Sequence, residues 1–249
     1  TIEDSRESQT GFEFFMFGSL SIMAFYHFGL YILRKKDKST FYFGLICLTI
    51  SLRILLTGER FLFNFLDDSM YWSSLVKLEF MTVYLTTPFF VLFLESMYPE
   101  DSTKIISKIT LTAGIIFSIA TLFIDTTIST GFVRFFQLIL LFLIFYTFYI
   151  LTIINIRKRE GAVWMALGLL IFLITLTNDL LYLNNVIYTG FLFPVGLFVF
   201  IFSQSFILSM RFSKAFATVE SMSEKLLTLD KLKDDFMANT SHELRTPLN

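Results

Sequence analysis

Seven apolar runs, each near the length of a bilayer-crossing helix, constrain this chain more than anything else in it. They are Phe12 to Leu33, Phe41 to Leu56, Leu75 to Tyr98, Ile109 to Ile124, Phe132 to Ile156, Ala162 to Leu183 and Phe191 to Met210. Crossing ~30 Å of hydrocarbon takes about 20 residues as a helix. The second and fourth runs are short, yet both are needed to keep the flanking charges on consistent sides. Hydrocarbon offers no water to backbone N–H and C=O groups, which excludes open sheets, and the alternation of barrel strands is absent. Helix is therefore the predicted state of every run. Composition agrees, because the chain is 55% hydrophobic and its 33 Phe exceed what the interior of a soluble domain of this size would hold beside its Leu and Ile.

Lys and Arg gather after the odd-numbered runs, at Arg34, Lys35, Lys36 and Lys38, at Lys104 and Lys108, at Arg157, Lys158 and Arg159, and at Arg211 and Lys214. The intervening loops, around Asp67 and Asp68, Asp125 to Gly131 and Asn184 to Gly190, carry almost none apart from Arg60. The positive-inside rule then puts the N-terminus outside and the C-terminus in the cytoplasm, the outcome seven spans also require. A net charge of −1 gives no footing for a nucleic-acid partner. Cys47 is the one cysteine and sits in an apolar run, so neither an intrachain disulfide nor a cysteine metal site is expected, and no metal ligand set is assigned. Residues 1–11 are polar and lack the regions of a signal peptide, so they read as an extracellular linker or the tail of a preceding domain. Both ends read as cuts, at Thr1 and just past Pro247-Leu248.

Beyond Met210 the composition turns charged and helix-favouring. Ala215, Val219, Met222, Leu226, Leu229 and Phe236 recur at alternating spacings of four and three, a heptad seam interrupted at Lys233. A short parallel dimeric coiled coil over 211–235 is one reading. A lone amphipathic helix lying on the bilayer is the other. The fold class expected is an all-α membrane protein: a seven-transmembrane bundle over 12–210, a cytoplasmic coiled-coil helix, and a truncated dimerisation helix over 236–249.

With Val219, Leu226 and Thr240 at a positions, His242 falls at c and points away from a partner helix. Neutral imidazole is a competent nucleophile near pH 7, because one ring nitrogen is unprotonated there. Glu243 is placed to orient the ring and to stabilise the charge that develops on attack, as a general base. Thr246 lies one turn on, where its hydroxyl would hold a water. Pro247 removes the amide that would bond the Glu243 carbonyl, so the helix should bend beside the reactive residue.

The string Phe236-Met237-Ala238-Asn239-Thr240-Ser241-His242-Glu243-Leu244-Arg245-Thr246-Pro247-Leu248-Asn249 resembles the H-box of two-component sensor histidine kinases. The resemblance implies autophosphorylation on His242 from ATP, assistance by Glu243, and phosphatase activity toward a response regulator through Thr246. It also implies a homodimer and a response-regulator receiver domain as partners. ATP and Mg2+ would be bound by a catalytic domain whose nucleotide boxes do not occur in these 249 residues, so this chain alone is expected to be inactive. The spans, with Gly18-Ser19-Leu20 and Tyr26-His27-Phe28-Gly29-Leu30-Tyr31 in the first of them, resemble the bacterial seven-transmembrane receptors with diverse intracellular signalling modules. That resemblance implies an inner-membrane location and an extracellular domain ahead of the bundle.

Ionisable residues inside spans cost at least ~2.5 kcal/mol at the bilayer centre, so each needs a reason. Arg53, Lys77, Glu79, Arg134 and Asp179 fall toward one leaflet, with Glu59, Arg60 and Gln137 near the same level. Arg53, Glu79, Arg134 and Asp179 are the candidate ligand-binding residues, lining a cavity for a small ligand or for the extracellular domain. The competing reading is that opposite signs merely pair to hold the bundle while Lys77 snorkels to the interface. His27 is expected to pack between helices with a hydrogen bond to a neighbour, Pro88 and Pro194 are candidate hinges within spans three and seven, and Tyr71, Trp72, Tyr182 and Tyr188 fit an aromatic belt. Two further functional readings stand beside the kinase. One is a receptor or scaffold that signals by partner binding alone; the other is a transporter, against which the gathering of charges near one face argues.

Overall fold

The computed structural model describes residues 2–57, 69–183, 186–190 and 192–245. Among them are seven α-helices and no strand: α1 (Ile2–Leu33), α2 (Lys38–Thr57), α3 (Ser69–Met97), α4 (Lys104–Phe123), α5 (Thr126–Ile156), α6 (Ala162–Leu183) and α7 (Phe193–Arg245). All seven are long and apolar enough to cross a membrane, and the chain is a multi-pass membrane protein.

Local chemistry explains the helix ends. Asp37 caps α2, its Oδ1 accepting from the Ser39 amide at 3.1 Å. Pro99 follows the end of α3 and cannot continue it. Helices α1, α3, α4 and α5 each begin well before the apolar run that announced them, whereas α6 matches its run at both ends. The stretch expected as a linker is helical from Ile2 and enters the first span without a break. Pro194 occupies the first turn of α7, where a missing N–H leaves no bond unmade, so it opens this helix rather than hinging it. Pro88 does lie inside α3.

The chain divides into two compact units, 1–201 and 202–249. In the first, α1 to α4 pack each against the next, α5 leans on α3 and α4, and α6 lies on α5. The opening turns of α7 meet α1, α3 and α6 through Phe198 against Phe15 and Phe200 against Phe90 and Phe172, with ring centroids 5.6–6.3 Å apart. Buried faces combine large apolar side chains, such as Leu20, Phe43, Phe93 and Ile150, with a set of Ser and Thr, while further large apolar side chains such as Phe135, Phe142 and Phe145 of α5 face outward. Apolar side chains on the outward surface suit lipid, and the buried hydroxyls suit close helix approach. On α4 the buried residues are Ser107, Thr110, Gly114, Ser118 and Thr121, one stripe at helical spacing. A Cβ at Gly114 would stand 2.5 Å from the Tyr84 carbonyl oxygen, the oxygen that Pro88 four residues later cannot bond. Only glycine allows α4 to close over that freed carbonyl.

His27 is buried and packs edge-on against Phe43 at 4.7 Å and Tyr26 at 5.1 Å, the helix-packing role expected of it. Trp72, Tyr182 and Tyr188 are exposed. The second unit is the remainder of α7, whose Val219, Met222, Leu226, Leu229 and Phe236 are each at least 60% exposed.

Candidate functional site

Three polar assemblies and one motif carry the chemistry. The first assembly joins α2 and α3. Arg53 Nη2 lies 3.8 Å from Glu79 Oε1, and its Nη1 donates to the Glu79 carbonyl at 3.3 Å and to Thr82 Oγ1 at 3.4 Å. These contacts are long, and both side chains keep partial exposure, 38% for Arg53 and 24% for Glu79. Hydroxyls continue the polar line: Thr86 Oγ1 donates to Thr49 Oγ1 at 2.8 Å, and Thr49 returns its proton to carbonyls of its own helix.

The structure therefore brings together two of the four candidate ligand residues. Arg134 is exposed on α5, with no hydrogen bond or ion pair to the other three among the described residues. Asp179 is buried on α6 and turned to a different task, described next. Lys77 reaches the Leu122 carbonyl at 3.2 Å, pinning the end of α4. Glu59 and Arg60 lie outside the described residues.

The second assembly fastens the turn before α7. Asp179 Oδ1 accepts from the Leu192 amide at 2.7 Å and from Asn178 Nδ2 at 3.0 Å. Asn178 Nδ2 also donates to the Gly190 carbonyl at 2.9 Å, and its Oδ1 accepts from Thr189 Oγ1 at 2.6 Å. Gly190 has φ of +104°, a conformation that only glycine holds without strain.

The third assembly lies at the opposite end of the bundle, between the α3–α4 and α5–α6 turns. Asp101, its side chain 1% exposed, receives Arg159 Nε at 2.8 Å and pairs with Arg157; Arg159 also pairs with Glu100. The Tyr98 hydroxyl donates to the Glu160 carbonyl at 3.3 Å, and the Thr103 amide donates to the Tyr146 hydroxyl at 3.0 Å. Local geometry aims the arginines. Lys158 takes φ of +50°, with the Lys158 amide on Asn155 O at 3.0 Å and the Arg159 amide on Ile154 O at 2.8 Å, a Schellman closure of α5. A lysine there is strained by about 1 kcal/mol. Hydrogen bonds to Glu100, then Asp101, hold the Arg159 guanidinium above even its usual range.

The motif residues His242 and Glu243 fall within α7, which runs to Arg245; Thr246 and Pro247 lie outside the described residues. The second and third assemblies have little signature in the sequence. Arg157 and Arg159 signal only inside-facing charge, and Asn178 with Thr189 signals no more than a polar pair beside a glycine turn.

The family model described as 7TM diverse intracellular signalling matches residues 9–211. No curated protein matches the chain. No solved structure matches it either. A match over most of the chain, on a structure with seven membrane-crossing helices in the same residues, has one meaning: this protein belongs to the seven-transmembrane family of diverse intracellular signalling receptors.

Proposed function

We propose that this chain is the sensor part of a membrane histidine kinase, in which the bundle governs presentation of His242 to ATP. The observation that carries the reading is α7, helical from Phe193 through Arg245, so that the helix opening in the receptor bundle also bears His242 and Glu243. In this reading the N-terminus is outside and α7 leaves the bilayer into the cytoplasm of a bacterial cell. Two copies pair along Val219, Met222, Leu226, Leu229 and Phe236, whose exposure in the single chain leaves an apolar stripe in need of a partner. A ring nitrogen of His242 attacks the γ-phosphorus of Mg-bound ATP, forming an N–P bond as the P–O bond to ADP breaks; ATP and Mg2+ are held by a catalytic domain outside this sequence. Glu243 steadies the imidazole. The phosphoryl group then passes to an aspartate of a response regulator, regenerating the His242 imidazole, and Thr246 positions the water that in the phosphatase step hydrolyses this aspartyl phosphate to aspartate and inorganic phosphate. The stimulus is a small ligand or an extracellular domain acting on the end of the bundle that holds Arg53 and Glu79.

Full-length protein in sealed vesicles tests chemistry and orientation together. Radiolabelled ATP given to inverted vesicles is expected to leave acid-labile phosphate that His242→Gln abolishes, with none formed when ATP is outside right-side-out vesicles. Absence of that phosphate, or its survival in His242→Gln, would reject the kinase and favour a receptor that signals by partner binding alone.

A further inference from the structure

The exit helix is fastened to α6 at two successive points. At the first, the side chains of Asn178 and Asp179 engage the turn before α7 through the Thr189 hydroxyl, the Gly190 carbonyl and the Leu192 amide, at 2.6–2.9 Å. Every donor and acceptor of the Asn178 amide group is used in a way that a mere surface polar pair would not require. At the second point, one turn into α7, a Cβ built on Gly196 would lie 1.7 Å from Thr175 Oγ1 and 2.7 Å from Thr175 Cβ. Gly196 and Thr175 are both buried, so α6 and α7 touch there backbone to side chain with no room for a methyl group.

Polar side chains inside a membrane helix need a reason, since a buried carboxylate costs several kcal/mol unless it is hydrogen-bonded. Capping the turn into α7 is such a reason. Phe200 against Phe172 adds an apolar contact on the same pair of helices.

We infer that Asn178 and Asp179, together with the Thr175–Gly196 contact, form a latch that fixes α7 to α6, so that the exit helix turns only when α6 turns or when the latch opens. These are positioning residues. The inference about the two helices stands on these hydrogen bonds and the Thr175–Gly196 contact; its consequence for signalling rests on the reading of α7 as the output helix.

The test uses full-length protein in lipid nanodiscs with Cys47→Ser and nitroxide labels at Ile174 and Val195, both exposed positions on α6 and α7. Dipolar broadening is expected to report one narrow distance in the parent. The same is expected in Asp179→Asn, which keeps an acceptor for the Leu192 amide. Asp179→Leu removes that acceptor, and Gly196→Ala drives a methyl into Thr175; both are expected to widen the distribution and to speed exchange of the Leu192 amide about tenfold. Adding Thr175→Gly to Gly196→Ala restores room for the methyl and should restore the narrow distance, which separates loosening from misfolding. An unchanged distance and exchange rate in Asp179→Leu and Gly196→Ala overturns the latch. Phosphate on His242 is measured in the same samples, with a change of about threefold or more expected in the two loosened variants. Loosened helices with unaltered phosphate would overturn the control role. A parent that acquires no phosphate would instead reject the kinase, while the spectra still decide the latch.

Discussion

Asp101 shows how one side chain governs an end of the bundle. It is almost wholly withdrawn from solvent, whereas Arg157 keeps 56% and Arg159 33% exposure. The two sides of this clasp therefore fail differently. Without Asp101 the arginines re-enter water, and Asp101→Ala should lower the unfolding midpoint only slightly. Without both arginines the carboxylate is stranded, and Arg157→Ala with Arg159→Ala should lower it clearly more. Thermal unfolding midpoints in detergent check this, and equal losses would show that Asp101 is solvated. Alkali is a poor lever on the clasp. Arg159 has a raised folded pKa, so its contribution is complete below the ordinary arginine range and is lost only as pH climbs through the raised value. Salt screens the exposed arginines at neutral pH and is the better probe. The partners of Asp101 are 56 and 58 residues distant along the chain, in loops whose charges the sequence reading assigned to membrane sidedness alone. Asp179 was equally opaque, since its principal partner is the backbone amide of Leu192, thirteen residues away, and an amide has no signature in a sequence. Arg53 with Glu79 was more legible, because opposite signs near the same depth of hydrocarbon suggest pairing.

On α4, Gly114 covers the Tyr84 carbonyl of α3 that Pro88 frees, with no room for a methyl group. Gly114→Ala is expected to force the pair apart and destabilise by about 1–3 kcal/mol. Gly18→Ala on α1, with nothing within 4 Å of the new methyl, should be neutral or stabilise by up to about 1 kcal/mol. Thermal-shift measurements on the two variants decide it, and similar losses would mean that the close approach is not what Gly114 is for. The existence and number of helices were readable because hydrocarbon demands long apolar runs. Some ends were readable too, since α1 stops at Leu33, α5 at Ile156 and α6 spans Ala162–Leu183 as the apolar runs do; several starts were not, with α4 starting at Lys104 where the apolar run starts at Ile109, and α5 at Thr126 where it starts at Phe132. Backbone hydrogen bonding continues past the last lipid-facing side chain, so hydropathy marks the membrane layer and caps mark the helix.

At the scale of the whole molecule, α7 is one helix of 53 residues, running from the receptor bundle to the segment that carries His242. An unbroken helix advances about 100° per residue, so what it can transmit is an angle as much as a displacement. Removing Ser221 alone would rotate everything beyond it by about 100°, carrying His242 with Leu226, Leu229 and Phe236 to another side; removing the seven residues 217–223 takes Val219 and Met222 out of the stripe but leaves these four within about 20° of their original bearing. Under the proposed reading, the seven-residue deletion keeps phosphate on His242 near the parent level and the single deletion does not, as radiolabelling of the full-length protein would record. Similar phosphate in both would mean that bearing does not matter. The length of the helix is then a tolerant quantity and its count of residues modulo seven a strict one, so that in this protein a signal would be written as an orientation and read out about fourteen turns later.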